Sequence, residues 1–532
     1  MKLPAFSFLC VAVLAAIPAY AELDEEEETP IRPPHKAARM TAEVAQRELE
    51  QHGIIPDSTQ RRDFFDLRQD YDTHMRIAIS NHDVEDIMLL IMAGIDINTP
   101  DHHANTYLHE AIWHYNAREA ASTAPFDMLM EIPGIDVNCS NDRGETPLDT
   151  AVKRGNEWCV GVLLHHPDIN LSAWSPFFLA ILKNDPTALR TLLKEGESPN
   201  QTAPSGKLSA LHVAALLGHT ECLRVLMEAP DIEFSTDEQQ STPLHAAARK
   251  GNSNCLRLLL EHPQAPINAQ DAMECTALHR AISCGDASSA RQLIEHKGIN
   301  INLQDSFGYT PLLEAAIEGH TEIVRLLLEQ KEIQVNTPTK DGWTPLMAAA
   351  LGNHTETVRV LLQHPDTDYN LREHDGSNVI DFAVQYRTDT LRELVALPGI
   401  DLNAGEYTST PLQNAAEHGH SEAVRILLQA GADVHTADKY GNTALILAAS
   451  GNYTECVRLL LSCPNIDVNA RTEKGAFALW RAAHGGYTES VRLLVEHPEI
   501  DLHASYQSKT PLQVAEENGH AECANILRDA IK

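Results

Sequence analysis

Aromatic residues are scarce in this chain of 532 residues: Phe, Trp and Tyr make up 5% of it, while apolar residues overall reach 43%. The core must therefore be built from Leu, Ala, Ile and Val, which is the balance of a helical protein. Cations are also few, 41 Lys and Arg against 75 Asp and Glu, for a net charge of −34. Such a polyanion repels nucleic acid, so binding through phosphate contacts is excluded from the start. After residue 21 no apolar run reaches the roughly 20 residues that span a bilayer, and no membrane insertion is expected. No C-x-x-C pair, phosphate-cradling glycine loop, Ser-His-Asp arrangement or paired-carboxylate site stands apart from the rest of the sequence. Catalytic residues, cofactors and metal ligands are accordingly all read as none.

What is present begins with residues 1–21, MKLPAFSFLCVAVLAAIPAYA. One charge at Lys2, an apolar stretch from Pro4 to Pro18 and the small-x-small ending Ala19-Tyr20-Ala21 read as a secretory signal peptide. The expectation is cleavage after Ala21 and export, to the periplasm or beyond the cell. Residues 22–35 open with Glu22-Leu23-Asp24-Glu25-Glu26-Glu27-Glu28 and continue into a Pro-rich stretch, a composition that cannot offset the entropy of ordering. Residues 36–72 form a capping segment, in which Lys36 to His52 read as one amphipathic helix stopped by Gly53.

From residue 73 to 532 a single template recurs: Thr/Ser-Pro/Ala-Leu-x-x-Ala-Ala, a Gly, an acidic residue with a Leu-rich run, then Asp-x-Asn. Fourteen anchors run from Thr73 to Thr510, mostly 33 or 34 residues apart. Two gaps depart widely from this, 40 residues from Thr106 to Thr146 and 29 from Thr146 to Ser175. The first adds a loop around Tyr115 to Pro125, and the second shortens the link from Asn170 to Ser175, which predicts a notch near Trp174. In each copy Thr supplies an N-cap oxygen and Pro takes the first helical turn, so a helix is expected to start at every anchor. The paired alanines admit close approach of a second helix, whose Leu run packs on neighbouring copies. In eight copies a proline such as Pro263, Pro365 or Pro498 stands where that second helix must stop.

Thr242-Pro243-Leu244-His245-Ala246-Ala247, Gly319-His320-Thr321-Glu322-Ile323-Val324-Arg325-Leu326-Leu327-Leu328 and Ala432-Asp433-Val434-His435 resemble the ankyrin repeat family. The resemblance implies an all-α repeat solenoid of about fourteen stacked helix-turn-helix units, joined by β-hairpin fingers and closed by a C-terminal cap.

The repeat register also disposes of two chemical readings. Cys159, Cys222, Cys255, Cys456 and Cys523 all stand thirteen residues after an anchor, an inward-facing site, and are expected as buried thiols. Cys222 and Cys255, in adjacent copies, should lie about 10 Å apart, beyond disulfide reach. His109-Glu110-Ala111-Ile112-Trp113-His114 approaches the zinc motif H-E-x-x-H, but its second histidine is one residue late, which turns the rings about 140° apart. The resemblance instead implies that His109, His212, His245 and His279, and the turn histidines such as His219 and His354, tie neighbouring turns together by hydrogen bonds.

Ankyrin stacks bind protein or peptide partners on the concave side, through finger tips and first helices. Carried over by template position, that implies contacts from Tyr309, Trp343, Ile317, Leu351, Leu216 and Leu217, with Arg249 and Lys250 placed to accept an acidic segment. The alternative for Tyr309 and Trp343 is that their rings pack on adjacent fingers. The reading is a monomeric, exported, non-enzymatic binding scaffold. The alternatives are an effector released to act on host proteins and a hydrolase built on the atypical second copy.

Overall fold

The computed structural model describes residues 64–115, 124–204, 206–384, 388–405 and 409–532, with the backbone alone for 64–70. The signal peptide, acidic tail and capping helix expected within 1–63, and most of the loop expected at Tyr115 to Pro125, lie outside them. Among the described residues the chain is 28 helices in fourteen consecutive pairs, divided between two units, 1–266 and 267–532.

The pairs of unit 1 are α1 (Phe64–Ser80) with α2 (Val84–Met92), α3 (Tyr107–His114) with α4 (Ala124–Met130), and α5 (Pro147–Arg154) with α6 (Glu157–Leu164). They continue with α7 (Pro176–Leu182) and α8 (Pro186–Lys194), α9 (Ala210–Leu217) and α10 (Thr220–Met227), and α11 (Pro243–Lys250) and α12 (Ser253–Leu260). Unit 2 holds α13 (Ala277–Ser283) and α14 (Ala287–Ile294), α15 (Pro311–Ile317) and α16 (Thr321–Leu328), α17 (Pro345–Leu351) and α18 (Thr355–Leu362), and α19 (Val379–Val384) and α20 (Thr388–Val395). It ends with α21 (Pro411–Glu417) and α22 (Ser421–Ala430), α23 (Ala444–Ser450) and α24 (Thr454–Leu461), α25 (Ala478–Gly485) and α26 (Thr488–Val495), and α27 (Pro511–Glu517) and α28 (Ala521–Ile531).

The anchors act as caps. Thr310 Oγ1 accepts the Leu313 amide at 3.2 Å and Pro311 opens α15, so a donor that would lack a helical partner is satisfied at the start of the turn. Two anchors differ: Phe477 starts α25 without a side-chain cap, and Thr73 lies inside the 17-residue α1 instead of starting a helix. Nothing in FFDLRQDYDTHMRIAIS punctuates the chain with Pro or Gly, so helix runs through, and the expected boundary at 72/73 falls within it. The prolines stop the second helices as read: α12 ends at Leu260 before Pro263, and α18 at Leu362 before Pro365.

Burial follows the template. In α16 Ile323, Val324, Leu326 and Leu327 are buried, and in α15 Leu312, Leu313, Ala315 and Ala316. In unit 2 the first helices pack in one row from α13 to α27 and the second helices in another from α14 to α28. The described fingers are tight turns instead of paired strands. Among the described residues β-pairing is confined to isolated bridges at Thr202–Ser209 and Tyr506–Lys509.

Three side-chain types stitch copy to copy. The buried template histidine accepts its own cap amide and donates to the next finger: His212 Nδ1 takes the Ser209 amide, and Nε2 gives to the Ser241 carbonyl at 2.9 Å. His109 and His279 repeat this on Glu145 and Tyr309 at 3.0 Å. Burial holds all three imidazoles below the usual histidine range, which keeps the accepting nitrogen unprotonated. In the interhelical turn, His219 and His354 bond back to the Ile181 and Ile317 carbonyls at 2.7 and 3.0 Å, and Asn156 donates to Ile112 at 2.9 Å. The Asn of Asp-x-Asn then clamps the loops. Asn302 donates to the Glu332 carbonyl at 2.7 Å and accepts the Gln334 amide at 3.0 Å, and Asn336, Asn370 and Asn469 do the same one copy further on.

The short 29-residue link has a large consequence. In unit 1 α5 packs on α9, which also receives α7, so the fourth copy drops out of the inner row and the third meets the fifth. Gly155 makes the approach possible. Its φ is 61°, and a Cβ there would stand 2.7 Å from the Leu216 carbonyl oxygen. Trp174 is buried beside this break, edge-on to Phe178 at 6.0 Å.

Candidate functional site

In unit 1 the sequence-derived contacts divide. Leu216 and Leu217 are buried, at 2% and 3% exposure, because α9 is enclosed between its neighbours. They belong to the core and offer no surface, which corrects the expectation that they touch a partner. Arg249 is exposed at the end of α11 and reaches the Lys153 carbonyl at 3.4 Å. Lys250 is half-buried, with its stem over Gly155. Arg154 stacks 4.2 Å over the Trp113 ring, and burial followed by the neighbouring Arg249 holds its guanidinium below the ordinary range.

In unit 2 Tyr309, Trp343, Ile317 and Leu351 are all half-buried. Trp343 is committed to its neighbour: its indole N–H donates to Glu373 at 2.6 Å, and its ring stands edge-on to Phe382 at 5.3 Å. Tyr309 lies 6.4 Å from Phe307 and gives its carbonyl to His279. The Trp343 ring thus packs on the adjacent copy, as the alternative held, whereas the Tyr309 ring meets Phe307 within its own finger.

Among the described residues, the most exposed apolar side chains of the fingers are three others, Met273, Phe307 and Tyr440, at 45%, 60% and 58% exposure. Each stands two residues after a turn aspartate. Asp305 Oδ1 accepts the amides of Phe307 and Tyr309 at 2.9 and 2.8 Å, and Asp271 and Asp438 act likewise. This closes the turn and leaves the intervening side chain outward. The register of Asp to apolar residue, visible in Asp305-Ser306-Phe307-Gly308 and Asp438-Lys439-Tyr440-Gly441, was the signal that would have located them.

Unit 2 also carries three unusual carboxyls. Burial pushes Glu314 up to about 7, where Ser283 Oγ donates to it at 2.5 Å. Glu373 is raised to about 7 by burial and then by Asp375, and buried Asp381 to about 7 by burial. Glu373, Asp375 and Asp381 line a shallow cavity of about 290 Å³ with Phe382, Asn414 and Glu417. Two of these carboxyls have structural duties: Glu373 holds the Trp343 indole, and Asp381 accepts the Asn378 amide at 3.0 Å at the start of α19.

The family described as ankyrin repeats, in a form covering three copies, matches the chain in overlapping windows from 75–173 to 464–532, which together run unbroken from 75 to 532. The chain belongs to the ankyrin repeat family. A stretch of 90 residues is 34% identical to the palmitoyltransferase ZDHHC17 of Danio rerio; it spans 17% of this chain and only 13% of that enzyme, within its ankyrin region. Among solved structures, the ankyrin repeat domain of Bcl-3, described as a unique member of the IkappaB family, aligns over 41% of this chain and 96% of its own length. That alignment has 23% identity and a TM-score of 0.37. The ankyrin repeat generally mediates protein–protein interaction and is typically a scaffold without catalytic chemistry. No described helix is long and apolar enough to cross a membrane.

Proposed function

We propose that this ankyrin repeat protein is an exported, monomeric scaffold of about fourteen repeats. It binds a protein or peptide partner along its first helices and finger tips and catalyses no reaction. The carrying observation is the exposure of Met273, Phe307 and Tyr440 on fingers whose turns hold them outward. In a chain with 5% aromatics, large rings in water are costly, and aromatic side chains are the commonest anchors of protein interfaces. Around them Tyr309, Trp343, Ile317 and Leu351 supply the half-buried margin, and Arg249 and Lys250 in unit 1 face an acidic segment. Export rests on the signal-like residues 1–21, and its destination is the periplasm or the medium.

The test is capture of the partner from the exported fraction. Phe307→Ala with Tyr440→Ala should weaken capture by about 2 kcal/mol and leave the far-UV circular dichroism unchanged. Trp343→Ala is a less discriminating probe, because it also empties the contacts to Glu373 and Phe382. Undiminished capture by the Phe307/Tyr440 variant would remove the finger tips from the binding surface.

A further inference from the structure

The displaced fourth copy leaves an opening on the second-helix side of unit 1, away from the finger tips. Second helices join α8 to α10 and α10 to α12, and no contact of that size links α6 to α8. Between α6 and the α7–α8 turn lies a cleft of about 1360 Å³, walled by Trp158, Met130, Val162, Leu164 and Leu182.

Trp158 is 54% exposed, yet it is held in place, because its indole N–H donates to Asp127 at 2.8 Å. The far wall is fixed as well: His219 bonds the Ile181 carbonyl at 2.7 Å and lies 3.4 Å from Glu157. An aromatic kept rigid over an apolar floor loses little entropy on binding. The rim is acidic, with Asp127, Glu131 and Glu157 against Lys183, and His165 and His166 complete it.

We propose that this cleft docks a basic amphipathic helix of a partner protein, at a site separate from the finger-tip surface. A helix of about 12 residues is roughly 18 Å long and 10 Å across, and one face of it would lie in the open cleft. An apolar stripe on that helix would meet Trp158 and the floor, and lysines or arginines on its flanks would meet the three rim carboxylates. The opening stands where the regular second-helix contact is missing, so an inserted helix would restore the packing that the short link removes.

The experiment titrates the full chain against a fluorescein-labelled helical peptide of about 14 residues, with a Leu stripe at i, i+3, i+4 and i+7 and Lys elsewhere, read by fluorescence polarisation. One control peptide replaces each Lys by Glu, and another scrambles the stripe. The Lys peptide should bind saturably and both controls at least about tenfold more weakly. Trp158→Ala and Glu131→Lys, both at exposed positions, should each weaken binding about tenfold with circular dichroism unchanged, while Phe307→Ala with Tyr440→Ala should leave it intact. Equal binding of the Lys and Glu peptides, or full binding by Trp158→Ala and Glu131→Lys, overturns the proposal. Neither result touches the finger-tip reading, which stands or falls on partner capture.

Discussion

His212 shows what one template residue contributes. It is fully buried, accepts the Ser209 amide and donates to the Ser241 carbonyl, so its removal orphans two buried groups and leaves a cavity. His212→Ala should destabilise the protein by about 2–3 kcal/mol, read as a lower urea midpoint. His212→Gln should recover part of that loss, since Gln413 fills the same position and bonds both the Thr410 amide and the Asn442 carbonyl. Asp381 gives the residue scale a pH signature. Its carboxyl is raised to about 7 in the folded protein, so the stability it contributes is full below the ordinary aspartate range near 4 and is lost as pH rises through about 7. Asp381→Asn keeps an acceptor for the Asn378 amide and cannot ionise. The variant should therefore gain stability relative to the parent between pH 5 and pH 8, measured by denaturation at each pH. An offset that does not change with pH would show that the folded Asp381 carboxyl is already ionised across this range, as in the unfolded chain, and is not raised.

At the scale of elements, the second helices of unit 2 carry a ladder that the template alone did not announce. Arg291 meets Glu322, Arg325 meets Glu356, Arg359 meets Glu393, Arg392 meets Glu422 and Arg425 meets Glu455, each joining one copy to the next at 2.6–3.4 Å. These pairs are about half exposed, and screened surface pairs contribute little. Arg392→Gln should cost under about 1 kcal/mol, and less in high salt. The backbone approach at Gly155 is far less forgiving. Gly155→Ala would press a methyl onto the Leu216 carbonyl at a left-handed φ, and the thermal midpoint should drop more than for Arg392→Gln. If the two variants match, the close packing of α5 on α9 is not a constraint.

For the whole molecule, the governing quantity is charge. Net −34 is spread along the chain, with six acids already between Glu22 and Glu28, so self-repulsion opposes the compact state. Moderate salt screens that repulsion more than it weakens the short Arg–Glu contacts. The melting temperature should therefore rise between about 10 mM and 150 mM NaCl, where the Debye length falls from about 30 to 8 Å. A fall would mean that the ion pairs outweigh the net charge. The same acidity shapes the partners: the proposed cleft selects a basic helix, while Arg249 and Lys250 are local exceptions.

The period, the caps, the proline stops and the inward cysteines were legible in the linear sequence, because each depends on neighbours within one copy or on the same position repeated. Cys159, Cys222, Cys255, Cys456 and Cys523 are all buried, as their register required. The 29-residue gap even located a break near Trp174. Which side of the break would close, and which would open, depended on how α5, α7 and α9 share space, and no local pattern carries that. Exposure was hidden for the same reason: Leu216 and Leu217 fill template positions that face a partner only if the neighbouring helix leaves them uncovered, and α9 is enclosed. The sequence by itself determined the repeat and its internal chemistry, since capping and helix packing act over a few residues. Only the tertiary structure decided which surfaces remain, because burial is a property of neighbours distant in the chain.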